Sequence, residues 1–221
     1  MPPAAGAGHN EETVMSHRFA EIAFTDAVKA VQEQYGSRGQ NQRLEQRGDA
    51  HDALGEDEAA FIAGRDSFYL ATVSETGWPY LQHRGGPPGF LKVLGPTTLA
   101  FADFRGNTQL VSAGNATGND RTALILLDYA HGRRLKILGR IRFEDAAGAA
   151  PALLKAVGLP NYRARVERVA VIEVAAFDWN CPQHIATRFT EAEVRAAVQP
   201  LYERIAELEA RLAALGAEAM S

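Results

Sequence analysis

The chain has 221 residues, 46% of them hydrophobic, which is enough for the core of one domain with extensions. Its formal net charge of −4 argues against a nucleic-acid partner, because such binding relies on a concentrated basic surface. No segment approaches the roughly 18 consecutive apolar residues of a membrane span, and the start of the chain lacks a secretory signal pattern. We therefore expect a soluble, cytoplasmic protein without a membrane partner.

The N-terminal part is predicted to consist of a tail, helices and an arm. Residues 1–15 are small and polar and predict a disordered tail. Residues 16–64 hold the helices and the arm. Apolar residues recur every three or four positions from Phe19 onward and predict an amphipathic helix that ends near Tyr35. The segment Ser37–Leu54 lacks periodicity and predicts a long irregular arm.

Residues 65–189 are predicted to form the main domain, entered through a helix over Glu56–Gly64. Strands are predicted at Ser67–Val73, Trp78–Arg84, Phe90–Leu94, Thr98–Asp103, Thr122–Leu127, Arg134–Phe143 and Val166–Phe177. Short helices are predicted at Asn107–Ala113 and Ala149–Val157, and a loop at Gly114–Asp120. Because short turns join successive strands, the sequence predicts a mainly β, α+β fold with an antiparallel sheet that closes into a barrel.

Residues 190–221 are predicted to form a C-terminal helix over Thr190–Gly216. Thr190 and Glu193 have the spacing of a capping box, and Pro200 is expected to kink or divide the helix. Beyond Pro200 the leucines and an isoleucine have the spacing of a coiled-coil seam: Leu201, Ile205, Leu208, Leu212 and Leu215. This seam either packs on the barrel or pairs with its copy in a dimer, and we favour the second.

Two predicted strands carry polar side chains where a core face is expected. Tyr80, Gln82 and Arg84 share one face of the second strand. The apolar face of the fourth strand turns charged at Asp103 and Arg105. These changes indicate strands that leave the core beside a ligand.

The segment that follows Asp103 has the residue types of a phosphate site. Arg105 offers several donors, Gly106 permits close approach of the backbone, and Asn107 favours a helix start whose N–H groups are free. The alternative is an ordinary turn with a surface arginine.

Three motifs in this order resemble the pyridoxamine 5′-phosphate oxidase-related family of flavin-binding split β-barrels. They are GWPYLQHRGG at Gly77–Gly86, DFRGN at Asp103–Asn107, and CPQHI at Cys181–Ile185. The resemblance spans about residues 17–189. It implies that FMN lies at the interface of a homodimer, with its phosphate held by basic residues on adjacent strands and at the following turn.

The resemblance also implies which residues of this chain contact FMN. Arg84 and Arg105 resemble the phosphate ligands, Gln82 and Asn107 the polar contacts to phosphate or ribityl, and Gln183 a contact from the late segment. The full predicted cofactor-binding set is Tyr80, Gln82, His83, Arg84, Asp103, Arg105, Gly106, Asn107, Thr108, Asn119, Arg121 and Gln183.

His83 and His184 are the candidate catalytic residues, since each lies within a motif and could orient a flavin or substrate or act as an acid or base. For each of them, a structural hydrogen bond is the alternative. Six scattered histidines and one cysteine, Cys181, at no ligand spacing predict no metal site.

The function expected from the resemblance is that of an FMN-dependent oxidoreductase, which moves a hydride or electrons to or from an unidentified small molecule. The oxidases that name the family end in a substrate-binding segment, whereas this chain ends in a predicted helix, so we do not expect pyridoxamine phosphate as the substrate. Two alternatives stay open. One is a haem-binding or deazaflavin-dependent split barrel, and the other is a non-catalytic flavin-binding sensor or stress protein.

Overall fold

The computed structural model describes residues 17–46, 52–160, 162–180 and 183–218. The predicted tail and Cys181 lie outside these residues. The helices are α1 (Arg18–Ala23), α2 (Asp26–Gln34), α3 (Arg38–Glu45), α4 (Glu56–Ala63), α5 (Val111–Gly118), α6 (Pro151–Val157) and α7 (Glu191–Glu218). The strands are β1 (Ser67–Val73), β2 (Pro79–Gly85), β3 (Lys92–Gly95), β4 (Thr98–Phe104), β5 (Arg121–Asp128), β6 (Arg133–Asp145) and β7 (Val166–Asn180).

The chain divides into two compact units. The first comprises Met1–Leu127 and Arg134–Cys181 and contains the sheet. The second comprises Asp128–Arg133 and Pro182–Ser221 and contains α7.

The seven strands found among the described residues belong to one sheet, in the order β2-β1-β5-β6-β7-β4-β3. β1 and β2 form the predicted antiparallel hairpin, with Ser67 opposite Gly85. The long strand β7 pairs antiparallel with β6 on one side and with β4 on the other. β2 and β3 lie at the two ends of the order. The predicted fold class is confirmed: the chain is an α+β, mainly β protein with an antiparallel split barrel and flanking helices.

The barrel interior is filled by apolar side chains from strands that are far apart in the sheet order. Phe68 on β1 packs against Phe90, with ring centroids 5.5 Å apart, and against Phe101 on β4, at 5.3 Å. β1 is the second strand of the order and β4 the sixth. The sheet must therefore curl round one core for these rings to meet. On β6, Leu135 and Ile137 are fully buried in the same core, as its alternation predicts.

A second, smaller core covers the opposite face of β4 and β7. Ala102 and Val171 point away from the barrel interior and pack with Val157 of α6. Both faces of these two strands are therefore buried, which agrees with their nearly continuous apolar sequences.

β6 and β7 contain one irregularity, where the register shifts between Leu138 and Gly139. A Cβ atom at Gly139 would lie 2.5 Å from the carbonyl oxygen of Glu173. Glycine at this position lets the two backbones keep this close approach.

The predicted first helix is two helices, since α1 ends at Ala23 and α2 begins at Asp26. Thr25 has an extended backbone, with ψ of 167°, and its Oγ1 accepts a hydrogen bond from the N–H of Val28. Thr25 thus acts as the N-cap of α2. Because its backbone is not helical, α1 and α2 are separate helices even though the apolar spacing continues across them.

The predicted irregular arm is wrong over Arg38–Glu45, where α3 forms. The Arg38 guanidinium lies 2.6 Å from Glu45, and it also donates to the side-chain oxygen of Gln32 at 3.1 Å. The hydrogen bond from Arg38 lowers the pKa of the Glu45 carboxyl. Polar side chains rather than an apolar stripe hold this helix, so periodicity did not predict it. Residues 47–51 of the predicted arm lie outside the described residues.

The C-terminal helix is longer than predicted and is not divided, because α7 runs from Glu191 to Glu218 through Pro200. Its predicted capping box is present. Glu193 accepts a hydrogen bond from the N–H of Thr190 at 2.7 Å, and Thr190 Oγ1 accepts one from the N–H of Glu193 at 3.2 Å.

Candidate functional site

A polar pocket opens where β2, β4, β7 and the start of α5 meet. Its volume is about 190 Å³. It is lined by Tyr80, Gln82, Arg84, Asp103, Phe104, Gly106, Asn107, Thr108, Gln109, Leu110, Val111, Ser112, Ala113, Glu167 and Arg168. Seven residues of the predicted cofactor-binding set are in this lining: Tyr80, Gln82, Arg84, Asp103, Gly106, Asn107 and Thr108.

Asp103 stands between two arginines at the base of the pocket. Its side chain is 4% exposed. One carboxylate oxygen accepts a hydrogen bond from Nη1 of Arg84 at 2.7 Å, and the other accepts one from Nε of Arg168 at 2.8 Å. Charge-assisted hydrogen bonds of this kind are short and strong. We call these three residues the Arg84–Asp103–Arg168 clamp.

The clamp joins strands that are not neighbours in the sheet. Arg84 is on β2, the first strand of the order, and Asp103 is on β4, the sixth. Asp103 and Arg168 are directly opposite each other on β4 and β7. The side chain of Arg84 therefore reaches across the split of the barrel, so the pocket lies on the line where the two ends of the sheet approach each other.

Arg84 has donors left after it pairs with Asp103. Its Nε atom is buried and has no hydrogen-bond partner among the described residues. Its guanidinium lies over the ring of Phe101, 5.7 Å from the centroid. A planar guanidinium that is held on one side by a carboxylate can still offer its remaining N–H groups to an anion in the pocket.

Sequence reasoning missed Arg168. A signal was present, because Glu167 and Arg168 are two charged residues directly before the apolar run Val169–Ile172 of β7. Their meaning depends on the register that places Arg168 opposite Asp103. That register joins residues 65 positions apart in the chain.

Arg105 occupies a different position from Arg84. Its side chain is 62% exposed, and its Nε atom lies 3.7 Å from Glu167. Among the described residues, those that line the pocket do not include Arg105. Glu167 does line the pocket, and it also lies 3.8 Å from Nη1 of Arg168. The pocket rim thus holds one carboxylate between two guanidinium groups.

The predicted helix start at Asn107 is wrong, because α5 begins at Val111. The Asn107 side chain instead accepts a hydrogen bond from the N–H of Gln109 at 3.1 Å, which closes a tight turn. Thr108 and Leu110 have positive φ angles of 60° and 55°. Residues with left-handed backbone angles cannot continue a right-handed helix from Asn107, so the helix begins only after Leu110.

The first turn of α5 lies on the pocket wall through Val111, Ser112 and Ala113. N–H groups in a first turn have no intrahelical acceptor, and the helix dipole makes this end favourable for anions. Ser112 Oγ donates to Oε1 of Gln82 at 3.2 Å, which connects α5 to β2. Gly114–Gly118, predicted as a loop, is part of this helix.

Three further residues of the predicted set, His83, Asn119 and Arg121, belong to the first unit and are not among the residues that line the pocket. His83 is on the opposite face of β2 from Arg84, and its ring meets that of Tyr69 edge-on, with centroids 5.5 Å apart. Asn119 accepts a hydrogen bond from the N–H of Arg121 at 3.1 Å, and Arg121 lines a separate groove with Arg140.

Gln183 and His184 belong to the second unit. Their roles, and those of the other predicted contacts, remain predictions. Within the described residues, no group of three or more His, Cys, Asp or Glu side chains could hold a metal ion. The described helices include none with the length and apolar character that a membrane crossing requires.

The fold and the pocket define a split β-barrel protein with a polar site at its split. The sequence model described as pyridoxamine 5′-phosphate oxidase matches residues 54–180, more than half of the chain. The chain therefore belongs to this family. Among curated proteins, none matches the sequence.

Solved structures with a similar fold come from several bacteria. HupZ of group A Streptococcus is 14% identical, with a TM-score of 0.47 over 62% of this chain and 99% of that one. An FMN-binding protein from Syntrophomonas wolfei is 11% identical, with a TM-score of 0.41 over 70% and 97% of the two chains. A protein related to general stress protein 26, from Clostridium acetobutylicum, is 10% identical, with a TM-score of 0.41 over 62% and 94%.

Proposed function

We propose that the pocket binds the phosphate end of FMN, and that the protein is a homodimeric FMN-dependent oxidoreductase acting on a small molecule. The observation that carries this proposal is the Arg84–Asp103–Arg168 clamp at the base of the pocket. The clamp fixes two guanidinium groups beside each other where one anion can contact both.

The donors around the pocket suit a phosphate. The buried Nε of Arg84 lacks a partner among the described residues, and a phosphate oxygen would supply one. The first turn of α5, Val111 to Ala113, also lines the pocket, and N–H groups at this position have no acceptor within the helix. Phosphate binding by helix starts together with arginine forks is a common arrangement in proteins. The residues present therefore fit the phosphate of FMN.

The volume of the pocket suits only part of FMN. Sites for ligands of that size enclose roughly 300–1,000 Å³, whereas this pocket has about 190 Å³. We infer that it holds the phosphate and part of the ribityl chain, and that a second copy of the chain completes the site around the ring. Two exposed apolar residues, Trp78 just before β2 at 76% and Leu81 on β2 at 63%, are available for contact with that copy.

FMN, when bound, would supply the hydride or electron transfer, and the protein would position it and tune it. Gln82, which Ser112 holds in place, is a candidate for hydrogen bonds to the ribityl chain. Asp103 would act as a positioning residue, because it orients both arginines without needing to touch the ligand.

The experiment is to titrate apo-protein with FMN and with riboflavin, which lacks the phosphate. We expect the parent to prefer FMN strongly. Arg84→Ala and Arg168→Ala should each weaken FMN binding about ten- to a hundredfold, with little change for riboflavin, since each charge-assisted hydrogen bond contributes roughly 1.5–3 kcal/mol. Arg105→Ala tests the other phosphate ligand that the resemblance implied, whose side chain would have to move away from Glu167 to reach a phosphate in the pocket.

Arg142→Ala is the matched control, because Arg142 pairs with Glu144 on β6 and does not line the pocket. Equal losses for FMN and riboflavin in the Arg84 and Arg168 variants would contradict the phosphate assignment.

A non-catalytic flavin-binding protein is the second candidate function. The observation that favours it is that no histidine lines the pocket among the described residues. An absorbance spectrum of the purified protein, recorded before and after a reductant and then with candidate acceptors, separates the two functions. A bound flavin that no acceptor reoxidises faster than buffer alone would favour the second candidate. The same spectrum distinguishes FMN from deazaflavin and haem.

A further inference from the structure

Helix α7 carries a long apolar stripe that is open to solvent. The helix has 28 residues. Its apolar residues at alternating spacings of four and three are Val194, Val198, Leu201, Ile205, Leu208, Leu212 and Leu215. Six of them are between 42% and 69% exposed, and Val198 is half-buried. A contiguous apolar surface of this kind marks an interaction site.

The residue types along this stripe bear on the number of helices in the coiled coil that it can form. In heptad notation, the a positions are Val198, Ile205 and Leu212. The d positions are Val194, Leu201, Leu208 and Leu215. Two of the three a positions are β-branched and three of the four d positions are leucine, a pattern that in parallel coils favours a pair of helices over a trimer or tetramer. Pro200 falls at position c, on the side away from the seam, so it does not interrupt the stripe.

The charges that flank the stripe indicate a parallel orientation. Arg204 and Arg211 occupy g positions, and Glu209 occupies an e position. In a parallel, in-register pair, each Arg204 faces Glu209 of the other copy. In an antiparallel pair, g positions face each other, which would bring arginine against arginine. Among the described residues, Glu209 has no ion-pair partner within its own chain, so it is available to a second copy.

We propose that α7 binds α7 of a second copy of this chain as a parallel, in-register coiled coil over residues 194–215. The two helices bury their apolar stripes against each other, and two Arg204–Glu209 pairs fix the register. Both helices then start at the same end of the coil, so the chain segments that precede them also lie together. In an antiparallel coil of 28 residues these starts would be about 42 Å apart. This interaction does not depend on flavin binding.

The first test is cysteine cross-linking of the full chain in a Cys181→Ser background. Val194→Cys and Leu215→Cys place one thiol near each end of the stripe, at d positions. In the parallel coil, each variant should cross-link with itself on mild oxidation. Ala210→Cys, at an f position on the outer side of the helix, is the matched control and should not cross-link.

The outcomes of this test are distinct. Cross-links that form only in a mixture of the Val194→Cys and Leu215→Cys chains would show an antiparallel pair and would overturn the proposal. The absence of cross-links in all variants would also overturn it, provided that far-UV circular dichroism shows the parent helix content. Cross-links at both positions but not at Ala210→Cys are the expected result.

The second test addresses the charges, and it uses variants that keep the stripe intact. Arg204→Glu and Glu209→Arg each place like charges opposite one another in a parallel pair, so each should form fewer Leu215→Cys cross-links than the parent. A mixture of the two variants should restore cross-linking between unlike chains, above the half expected for random pairing. Random pairing, or no loss in either variant alone, would contradict the Arg204–Glu209 contact.

Discussion

The geometry of the candidate site depends on Asp103, because both arginines of the clamp donate hydrogen bonds to its buried carboxylate. Asp103→Asn would leave the largely buried guanidinium of Arg84 without its counter-charge and that of Arg168 with only Glu167, at 3.8 Å. Removing one partner of a buried ion pair costs about 3 kcal/mol or more. We therefore expect the free energy of unfolding, measured by urea denaturation, to fall by about 3 kcal/mol.

Asp120→Asn is the control for this prediction. Asp120 also pairs with an arginine, Arg140 at 2.6 Å, but both side chains are about half exposed. Exposed pairs contribute about 1 kcal/mol or less. A similar loss in the two variants would mean that the clamp is no more important to stability than a surface pair.

Glu167 at the pocket rim should weaken the binding of an anion. Its carboxylate lines the pocket, and a phosphate in the pocket would repel it. We expect Glu167→Gln to tighten FMN binding about fivefold, which corresponds to roughly 1 kcal/mol of repulsion across a partly exposed site. The affinity for riboflavin should not change. Glu144→Gln, which removes an exposed carboxylate paired with Arg142 outside the pocket, is the control. Unchanged FMN affinity in Glu167→Gln would contradict this role.

Part of the candidate site could be predicted from single residues, and part could not. Tyr80, Gln82 and Arg84 alternate on one strand, so their common face followed from the sequence alone. The position of Arg168 depends on how β7 pairs with β4, and no local pattern specifies that register. For Arg105, the resemblance implied a phosphate ligand, whereas the side chain lies beside Glu167.

At the scale of elements, the irregularity between β6 and β7 depends on Gly139. A side chain there would meet the Glu173 carbonyl oxygen, which belongs to the backbone and cannot move away. We expect Gly139→Ala to lower the free energy of unfolding by about 1–3 kcal/mol, the usual cost of overpacking. Gly95→Ala is the matched strand control, since a Cβ at Gly95 has no atom within 4 Å. Equal melting temperatures for the two variants would contradict the close approach.

The start of α7 should depend on pH through Glu193. The hydrogen bond from the N–H of Thr190, followed by that from its hydroxyl, lowers the pKa of the Glu193 carboxyl. A group whose pKa is lowered by folding stabilises the folded state above its unfolded pKa. We therefore expect the first turn of α7 to lose protection as the pH falls below about 4.3.

Amide hydrogen exchange of residues 191–195, expressed as protection factors at each pH, measures this effect. Glu193→Gln keeps a hydrogen-bonding side chain at this position but cannot titrate, so its protection should not change over the same range. The same decrease in the parent and the variant would assign the pH dependence to another group.

Elements with an apolar period were predictable, and elements held by polar contacts were not. The strand β1 and the helix α4 agree with their predicted bounds to within one residue. Helix α5 contains Gly, Asn and Thr, which are poor helix formers. It forms because contacts with the sheet hold it, such as the 3.0 Å hydrogen bond from Asn115 to Thr72. Such long-range contacts cannot be inferred from local sequence.

At the scale of the whole molecule, the antiparallel barrel followed from short connections between strands that lacked crossover helices, and its split form followed from the family resemblance. The way in which the barrel closes did not follow, because it depends on the first and sixth strands of the sheet order approaching each other. Arg84 and Asp103 are 19 positions apart in sequence, and each is an ordinary polar residue at the end of a strand. Only the curl of the sheet brings them together.

The position of the clamp across the split also makes ligand binding and barrel opening thermodynamically linked. A ligand that binds only when β2 and β4 are together must stabilise the closed barrel, by about 2.7 kcal/mol when its concentration is a hundred times its dissociation constant. The amides of β2, at one end of the sheet order, should then exchange their hydrogens more slowly in the presence of FMN. Exchange that FMN leaves unchanged at β2 would contradict this linkage. If the linkage holds, resistance to local unfolding and proteolysis increases with the concentration of flavin. The protein would then be degraded more slowly in cells that contain more flavin.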